Sequence, residues 1–402
     1  MIGRRQVIVV GAGISGLTTA YRLAREGVDL EVFEARDRVG GRAWRIPVGE
    51  AAFDAGCEAL DHEHATLLRV ADEVGVATLE APAWEADPPL GLEGEDAELF
   101  QAFETEIASL AARIDPAHPE HVDGAGALDG QTLAGWLDEA GASAKVLRAA
   151  ELWISIASSS VPLSRMSLLG YAAKLAAGAA PTGLRLRFEG GPSALAERLV
   201  EQLAGRIQLG RAVVAVGDDG TGVSLTLADG SAEHADHLVL AVPLTVQREL
   251  RFDPPLPEYR RLALEEACYG TVVKQAALVD GSGRLELPFL SEDGHIYRSA
   301  HEPNLVVRFG GADSATREFD FGRFLNEPPK AEASADWSQE RWTRGSYVIL
   351  GPGHLTSWGV RLGEPHGRVH FGGVERSTLK SYMEGAARGG EEVAAEVLEA
   401  VA

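Results

Sequence analysis

The fold follows from one stretch near the N-terminus, residues 6–42, which read QVIVVGAGISGLTTAYRLAREGVDLEVFEARDRVGGR. Residues 6–10 form a short apolar run rich in β-branched side chains, which is typical of a buried parallel strand. Residues 17–26 show helical spacing, and Leu30–Phe33 reads as a second strand that closes with Glu34. The stretch therefore predicts a strand, a glycine turn, a helix, a second strand and an acid, in that order.

The turn after the first strand contains three glycines whose spacing suits a bound pyrophosphate. Gly11 permits the tight turn, Gly13 lets a pyrophosphate approach the backbone, and Gly16 lets the helix pack closely on the strand. Ile14 and Ser15 lie where free N–H groups and the positive end of the helix dipole face the phosphates. The turn predicts dinucleotide binding, and a glycine-rich turn in an ordinary βαβ unit is the alternative.

The acid at the end of the second strand indicates a ribose site. Glu34 follows Gly16 by 18 residues, and its carboxylate can accept both hydroxyl protons of an adenosine ribose while repelling a 2′-phosphate. We count the next residues, Ala35 and Arg36, as candidates for the same site. NAD and FAD both satisfy this pattern, so the fingerprint alone leaves both open.

The segment after the second strand separates them by resemblance. Residues 38–42 read RVGGR and match the RxGGR segment of the flavin amine oxidase family, which includes monoamine, polyamine and L-amino acid oxidases. The resemblance implies that FAD is the cofactor and that Gly41 and Arg42 contact it. It also implies that a valine on a later strand contacts the adenine through its backbone, a role open to Val213 or Val214 and assigned here to Val214.

The C-terminal segment carries the other specific motifs of this family. Residues 368–375 read RVHFGGVE and 381–386 read SYMEGA, which resemble the family's R-[IV]-x-F-A-G-T-E and GYMEGA. The resemblance implies that Gly373, Glu375 and Met383 bind the cofactor. A helix starting near Met383 would direct its N-terminus toward the flavin N1–C2=O edge and stabilise the negative charge of the reduced ring.

Three candidate catalytic residues follow from the same resemblance. Tyr347 and Tyr382 match the pair of rings that flanks the approach to the flavin and orients the substrate amine. Lys274 lies in an apolar strand, where an unpaired lysine is rare, and matches the lysine that holds a water above the flavin N5. Core tyrosines and a lysine at a strand edge are the alternatives. Ser346 stands where covalently flavinylated members have cysteine, so the FAD should be bound non-covalently.

One segment departs from the family pattern. Residues 377–381 are one residue short and lack the family's tryptophan, while Val374 and Ser381 replace a threonine and a glycine. The change places Lys380 near the predicted pocket and raises the hypothesis of a carboxylated or bulky amine. Drift of a surface loop is the alternative.

Composition restricts the partners and the compartment. The 402-residue chain has a formal net charge of −23, so nucleic acid and anionic membranes should repel it. Two cysteines, Cys57 and Cys268, imply no disulfide framework, and no Cys/His cluster has metal-ligand spacing. Because the chain enters its first strand directly and lacks an apolar stretch long enough to span a membrane, we expect a cytoplasmic protein. A monomer and a homodimer both stay open.

The predicted fold class is α/β, with a Rossmann-type FAD-binding domain and a discontinuous α+β substrate domain, as in two-domain amine oxidases. The FAD-binding domain is expected to comprise residues 1–80, 191–260 and 336–402. Residues 81–190, which are predicted to be mostly helical, and residues 261–335 form the expected substrate domain.

The predicted function is that of a flavin-dependent amine oxidase. It would oxidise the C–N bond of an amine to an imine, and oxygen would reoxidise the flavin to give hydrogen peroxide. The rivals are an L-amino acid oxidase, a biosynthetic enzyme of this type acting on a larger metabolite, and a non-catalytic FAD-binding protein. An amino acid oxidase would need an arginine clamp for the substrate carboxylate. The candidates for that clamp are Arg165, Arg187, Arg298 and Arg308.

Overall fold

A computed structural model gives the fold of this protein. It describes residues 5–81, 91–159, 161–179, 185–280, 289–291, 294–311, 319–325 and 328–402. The strands are β1 (Arg5–Val10), β2 (Leu30–Phe33), β3 (Arg45–Val48), β4 (Ala51–Asp54), β5 (Thr78–Glu80), β6 (Leu186–Phe188), β7 (Ile207–Gln208), β8 (Val213–Asp218), β9 (Val223–Leu227), β10 (Ala232–Leu240), β11 (Arg251–Asp253), β12 (Cys268–Tyr269), β13 (Val272–Leu278), β14 (Phe289–Ser291), β15 (Gly294–Arg298), β16 (Leu305–Gly311), β17 (Ala331–Asp336), β18 (Val348–Ile349) and β19 (Val369–Phe371). The helices are α1 (Ile14–Arg25), α2 (Ala65–Glu73), α3 (Glu95–Ala111), α4 (Ala125–Gly130), α5 (Leu133–Glu139), α6 (Ala144–Ala150), α7 (Leu168–Ala176), α8 (Pro192–Gln202), α9 (Leu244–Gln247), α10 (Glu258–Glu266), α11 (Phe321–Leu325), α12 (His354–Ser357) and α13 (Met383–Val401).

The larger sheet is built around the N-terminal strand. Its order is β11-β8-β9-β10-β1-β2-β7, with β19 also paired to β10, and β1 runs parallel to both of its neighbours. The predicted strand–turn–helix–strand unit is confirmed, but α1 begins three residues earlier than predicted. The reason is that the Leu17 N–H already donates to the Gly13 carbonyl at 2.9 Å, which makes the glycine turn the first turn of the helix.

A second sheet and a group of helices stand apart from the first sheet. The sheet is antiparallel with the order β14-β15-β16-β13-β17, and β13 is buried along its whole length. Helices α3 to α7, a π-helical stretch at Glu151–Ser159 and two short 3₁₀ turns together occupy most of the described part of residues 81–190, which confirms the prediction of a mostly helical segment. The two sheets draw on the segments assigned above to the two domains, while the domain boundaries themselves stay a prediction.

The two ends of the chain pack directly on each other. Helix α13 lies against α1, and a Cβ added to Gly390 would come within 2.6 Å of the Ser15 carbonyl oxygen. The Thr19 hydroxyl donates to the Gly390 carbonyl at 3.1 Å. Just before α13, the Gly373 N–H donates to the Ser15 hydroxyl at 2.9 Å. The C-terminal motifs are thereby fixed beside the N-terminal glycine turn.

Among the helices in the described residues, none combines the length and the apolar character that a membrane crossing requires.

Candidate active site

One long cavity, called here the main cavity, begins where β1 and β2 end. It encloses about 1430 Å³ of space free of protein atoms and opens to solvent. The predicted site residues that line it are Gly11, Gly13, Ile14, Ser15, Glu34, Ala35, Arg36, Gly41, Arg42, Tyr347, Gly373, Glu375, Tyr382 and Met383. Three further predicted residues, Gly16, Val214 and Lys274, do not belong to this lining. The two ends of the chain therefore share one cavity.

The glycine turn leaves room for a ligand. A Cβ added to Gly13 would meet no protein atom within 4 Å, although this residue lines the main cavity. By contrast, a Cβ on Gly16 would lie 1.9 Å from the Gly11 carbonyl oxygen, so Gly16 serves helix packing. The cradle fits a dinucleotide, because the space at Gly13 adjoins the free N–H groups at the start of α1.

The carboxylate of Glu34 stands at the other end of this cradle. It is 3% exposed, and it accepts the Ala12 N–H at 2.8 Å and the Arg36 N–H at 2.9 Å. Oε2 retains a second lone pair that can accept a ribose hydroxyl, whereas Oε1 also accepts a bond from the Arg36 guanidinium at 3.4 Å. The Arg36 guanidinium bonds to Glu340, a residue that the sequence analysis did not single out.

The cavity lining bears on the two valines that the sequence offered for the adenine contact. Val213 lines the main cavity, and the predicted Val214 does not. Neighbouring strand residues face opposite sides, and the pairing of β8 with β9 shifts register between Val213 and Ala215. The lining therefore favours Val213 over Val214, while the adenine contact itself stays a prediction.

Glu375 is anchored by an unexpected tyrosine. The Tyr269 hydroxyl donates to Glu375 Oε1 at 2.6 Å and accepts the Leu244 N–H at 3.1 Å. Arg42 lies 3.8 Å from the same carboxylate oxygen, and it also donates to the Ser346 carbonyl. These contacts join the RVGGR segment to the C-terminal motif. Sequence reasoning missed Tyr269, since nothing local distinguishes it from a sheet residue.

Lys274 lies one layer behind the main cavity. Its ammonium donates to Glu58 Oε2 at 2.7 Å and to the Gly56 carbonyl at 3.2 Å, and Gly56 lines the cavity. Tyr297 donates to the same Glu58 oxygen at 2.7 Å. Burial raises the pKa of Glu58, but the cations of Lys274 and Arg187 outweigh it and lower the value to about 2. Glu58 is the partner that a buried lysine requires.

Two tyrosines stand on the wall of the main cavity. The Tyr347 carbonyl accepts the Gly270 N–H at 3.1 Å, a bond that continues the β12–β18 pairing. Tyr382 directly precedes α13, and its ring meets His64 edge-on with 5.6 Å between centroids. Burial raises the pKa of the Tyr382 hydroxyl to about 12 and that of Tyr347 also, so both are neutral near pH 7. The wall therefore presents uncharged aromatic surfaces.

The arginine clamp that an amino acid oxidase would need finds no support among its four candidates. Arg165, Arg187, Arg298 and Arg308 line neither the main cavity nor the neighbouring one described below. Arg187 and Arg308 are buried elsewhere, the first 3.5 Å from Glu58 and the second bonded to Gln275 at 2.6 Å.

A group of metal-ligand side chains occurs on the surface, where none was expected from sequence. His118, Glu120 and His121 bring one potential ligand atom each within 4.8 Å of the others, and the two histidines are exposed. The sequence analysis overlooked it because it considered only the spacing of cysteines and histidines.

Comparison with known proteins places the chain in a family. Residues 14–398 match the family described as flavin containing amine oxidoreductase. The chain belongs to this family. It is therefore a flavoprotein oxidoreductase that acts on amines, which confirms the predicted function at this level. A flavin-containing amine oxidase B from Homo sapiens is 24% identical over 100% of this chain and 87% of its own length.

Solved structures agree with the predicted fold class. Putrescine oxidase bound to putrescine has a TM-score of 0.88 and 24% identity, and the match covers 98% of this chain and 99% of that one. Cyclohexylamine oxidase from Brevibacterium oxydans has a TM-score of 0.86 and 24% identity, covering 99% of this chain and 100% of its own. The two-domain flavoprotein fold of α/β class is thereby confirmed.

Proposed function

We propose that this protein holds FAD non-covalently in the main cavity and uses it to oxidise an amine to an imine, with oxygen as the final electron acceptor. One observation carries the proposal. The glycine turn, the Gly373–Met383 segment and the tyrosine pair line a single continuous cavity. The front of the chain offers a nucleotide cradle, and the back offers aromatic walls beside a helix N-terminus.

Each part of the cavity suits one part of FAD. The open space at Gly13 and the start of α1 suit the pyrophosphate, and the Glu34 carboxylate suits the ribose hydroxyls. The start of α13 at Met383 suits the electron-rich edge of the reduced ring. Ser346 has a hydroxyl in place of a thiol, which leaves that position without the nucleophile for a thioether link.

The chain's own residues then act on the amine. Tyr347 and Tyr382 orient a neutral amine nitrogen through their ring faces. FAD, when bound, supplies the acceptor for two electrons and the α-hydrogen, so no side chain need act as base. Lys274, held by Glu58, keeps a fixed positive charge behind Gly56 on the cavity wall. We assign to this charge a role in the reaction with oxygen.

Two measurements test the proposal. The purified protein should be yellow, and acid precipitation should leave the flavin in the supernatant as FAD. A peroxide assay over alkylamines, diamines and amino acids should then show turnover. A colourless protein that FAD cannot reconstitute would contradict the cofactor assignment, and flavin that stays in the pellet would contradict non-covalent binding. Bound FAD without turnover of any amine would favour the non-catalytic alternative.

A further inference from the structure

A second cavity shares a lining residue with the main one next to the tyrosine wall. It comprises about 1280 Å³ free of protein atoms, part of which is open solvent. Two of its lining residues are Lys174 of α7 and Lys380 of the segment before α13, so we call it the lysine cavity. Ser381 lines both cavities, and Tyr382, the next residue, belongs to the main cavity. Ser381 therefore stands at the border of both spaces.

Lys174 has no countercharge in the part of the chain that the structure describes. Its ammonium lies 5.6 Å from the centre of the Tyr382 ring, and no carboxylate of the described residues forms an ion pair with it. Desolvation lowers the pKa of Lys174 to about 8, with no opposing charge to restore it. A lysine beside the tyrosine wall favours an anionic group on a bound molecule, because opposite charges attract.

Lys380 is bonded only to neutral groups. Its ammonium donates to the Glu375 carbonyl at 2.9 Å and to the Ser377 carbonyl at 3.0 Å. An ammonium has three N–H donors, and the described residues supply an acceptor for two of them. Burial lowers the pKa of Lys380 to about 8 despite the charges of Glu375 and Glu392. This lysine also lacks an ion pair within the described ranges.

Arg376, the other cation of the lysine cavity, has carboxylate partners of its own. It pairs with Glu392 at 3.3 Å and with Glu396 at 2.7 Å. Among the described lining residues, the two lysines are therefore the cations without an ion pair. This is unusual in a chain with a formal net charge of −23, which has an excess of carboxylates available. Partly buried cations without an ion pair destabilise a fold, so a bound anion would offset their cost.

We propose that the lysine cavity binds a carboxylate and that this carboxylate belongs to the amine being oxidised. The substrate class is then an amine with a carboxylate at some distance from the nitrogen. In this proposal, such a molecule reaches from the tyrosine wall past Ser381, the residue that borders both spaces, into the lysine cavity. The placement of the substrate's amine rests on the proposed function, and the placement of its carboxylate rests on the two lysines.

Kinetics with matched substrates test the acid end. A series of ω-amino acids from 4-aminobutanoate to 7-aminoheptanoate is compared with n-alkylamines of equal chain length. We expect kcat/KM to favour one ω-amino acid over its alkylamine by about tenfold or more, the worth of one charge-assisted hydrogen bond. Lys380→Met and Lys174→Met should each reduce this ratio, whereas Lys380→Arg should largely preserve it. An exposed lysine on α6, changed as Lys145→Met, is the matched control.

A binding measurement separates this inference from the proposed function. Pentanoate, a carboxylate without an amine, is titrated calorimetrically into the holoprotein and its lysine variants. Lysine-dependent binding without turnover of any amine would support the anion site and contradict the proposed oxidation. If both lysine variants oxidise amines with an unchanged ratio of kcat/KM between the ω-amino acid and its alkylamine, the inference is overturned and the proposed oxidation is unaffected. Lysine-dependent binding of pentanoate with an unchanged ratio would overturn the assignment of the carboxylate to the substrate.

Discussion

Lys274 Nζ lies 2.7 Å from Glu58 Oε2, and the two side chains are 3% and 6% exposed. This ion pair joins the second sheet to the segment that follows β4. It holds a fully desolvated cation behind Gly56 on the wall of the main cavity. A cation is kept in such a place only when a carboxylate is buried with it, so the two residues act as a unit.

Replacing one partner of this ion pair should destabilise the protein more than replacing both partners together. Glu58→Gln and Lys274→Met should each lower the free energy of unfolding by about 3 kcal/mol or more, because the first takes the buried carboxylate from Lys274 and the second leaves Arg187 as the remaining cation at Glu58. The double variant should lose less than the sum. Chemical denaturation of all three measures the coupling. The exposed pair Arg361–Glu364 is the control, and Glu364→Gln should cost less than about 1 kcal/mol. If the losses of unfolding free energy in the two single variants simply add up in the double variant, Glu58 and Lys274 do not act as a unit.

The same carboxylate predicts an acid transition. The pKa of Glu58 is lowered from 4.5 to about 2, so its ionised form favours the folded state. This stabilisation is fully present above about pH 4.5 and is lost as the pH falls toward about 2. Denaturation midpoints between these limits should fall more steeply for the natural chain than for Glu58→Gln. Equal slopes would show that Glu58 titrates normally.

The glycine turn offers two alanine substitutions with opposite outcomes. Gly13→Ala adds a Cβ that meets no protein atom, so the apoprotein should keep its Tm. The methyl group should weaken FAD binding by about tenfold, on the order of one lost hydrogen bond to a charged phosphate. Gly16→Ala places its Cβ against the Gly11 carbonyl and should lower the Tm itself. Flavin fluorescence on reconstitution measures the FAD affinity, and calorimetry of the apoproteins measures the Tm. If Gly13→Ala binds FAD as tightly as the unchanged protein, the glycine turn is not the site of the pyrophosphate.

The tyrosine wall should matter for turnover and not for flavin content. Replacing Tyr347 and Tyr382 together by alanine should lower kcat/KM for the best amine by about a hundredfold, since the amine loses its orientation. Replacing both by phenylalanine keeps the ring faces and should cost much less. Peroxide formation and flavin absorbance are measured on the same samples. Similar losses in the alanine and phenylalanine variants would shift the role from the rings to the hydroxyls.

Lys174 should affect the Tm even when no ligand occupies the lysine cavity. The pKa of Lys174 is lowered from 10.5 to about 8, so charging it disfavours the folded state. That penalty is complete below about pH 8 and disappears as the pH rises above about 10.5. Lys174→Met should therefore raise the Tm at pH 7, and the gain should shrink at pH 9.5. A lower Tm at pH 7 would mean that Lys174 has a stabilising partner after all.

Prediction from sequence succeeded where the determinants are local. The unit from Gly11 to Glu34 depends on backbone freedom and side-chain spacing within a short stretch, and the structure reproduces its elements. The start of α1 was placed too late because the turn itself closes helical hydrogen bonds. The motifs around Met383 were recognised by resemblance, and α13 begins at that residue.

The residues that contact these motifs in the folded protein could not be predicted from the sequence. Glu58 and Lys274 are separated by 216 residues, so only the tertiary fold brings their charges together. That Val213 and not Val214 lines the main cavity likewise became clear only from the tertiary fold. Lys380 was suspected from a shortened segment, whereas Lys174 became visible only when α7 was seen beside Tyr382.

The packing of α13 on α1 also sets an order of events during synthesis. Tyr382 follows Gly13 by 369 residues, so the ribosome makes the glycine turn long before the tyrosine wall can be complete. A nascent chain can form the first strand and helix but must wait for α13 before the ring system has walls around it. Capture of the flavin can then follow only after α13 has been made.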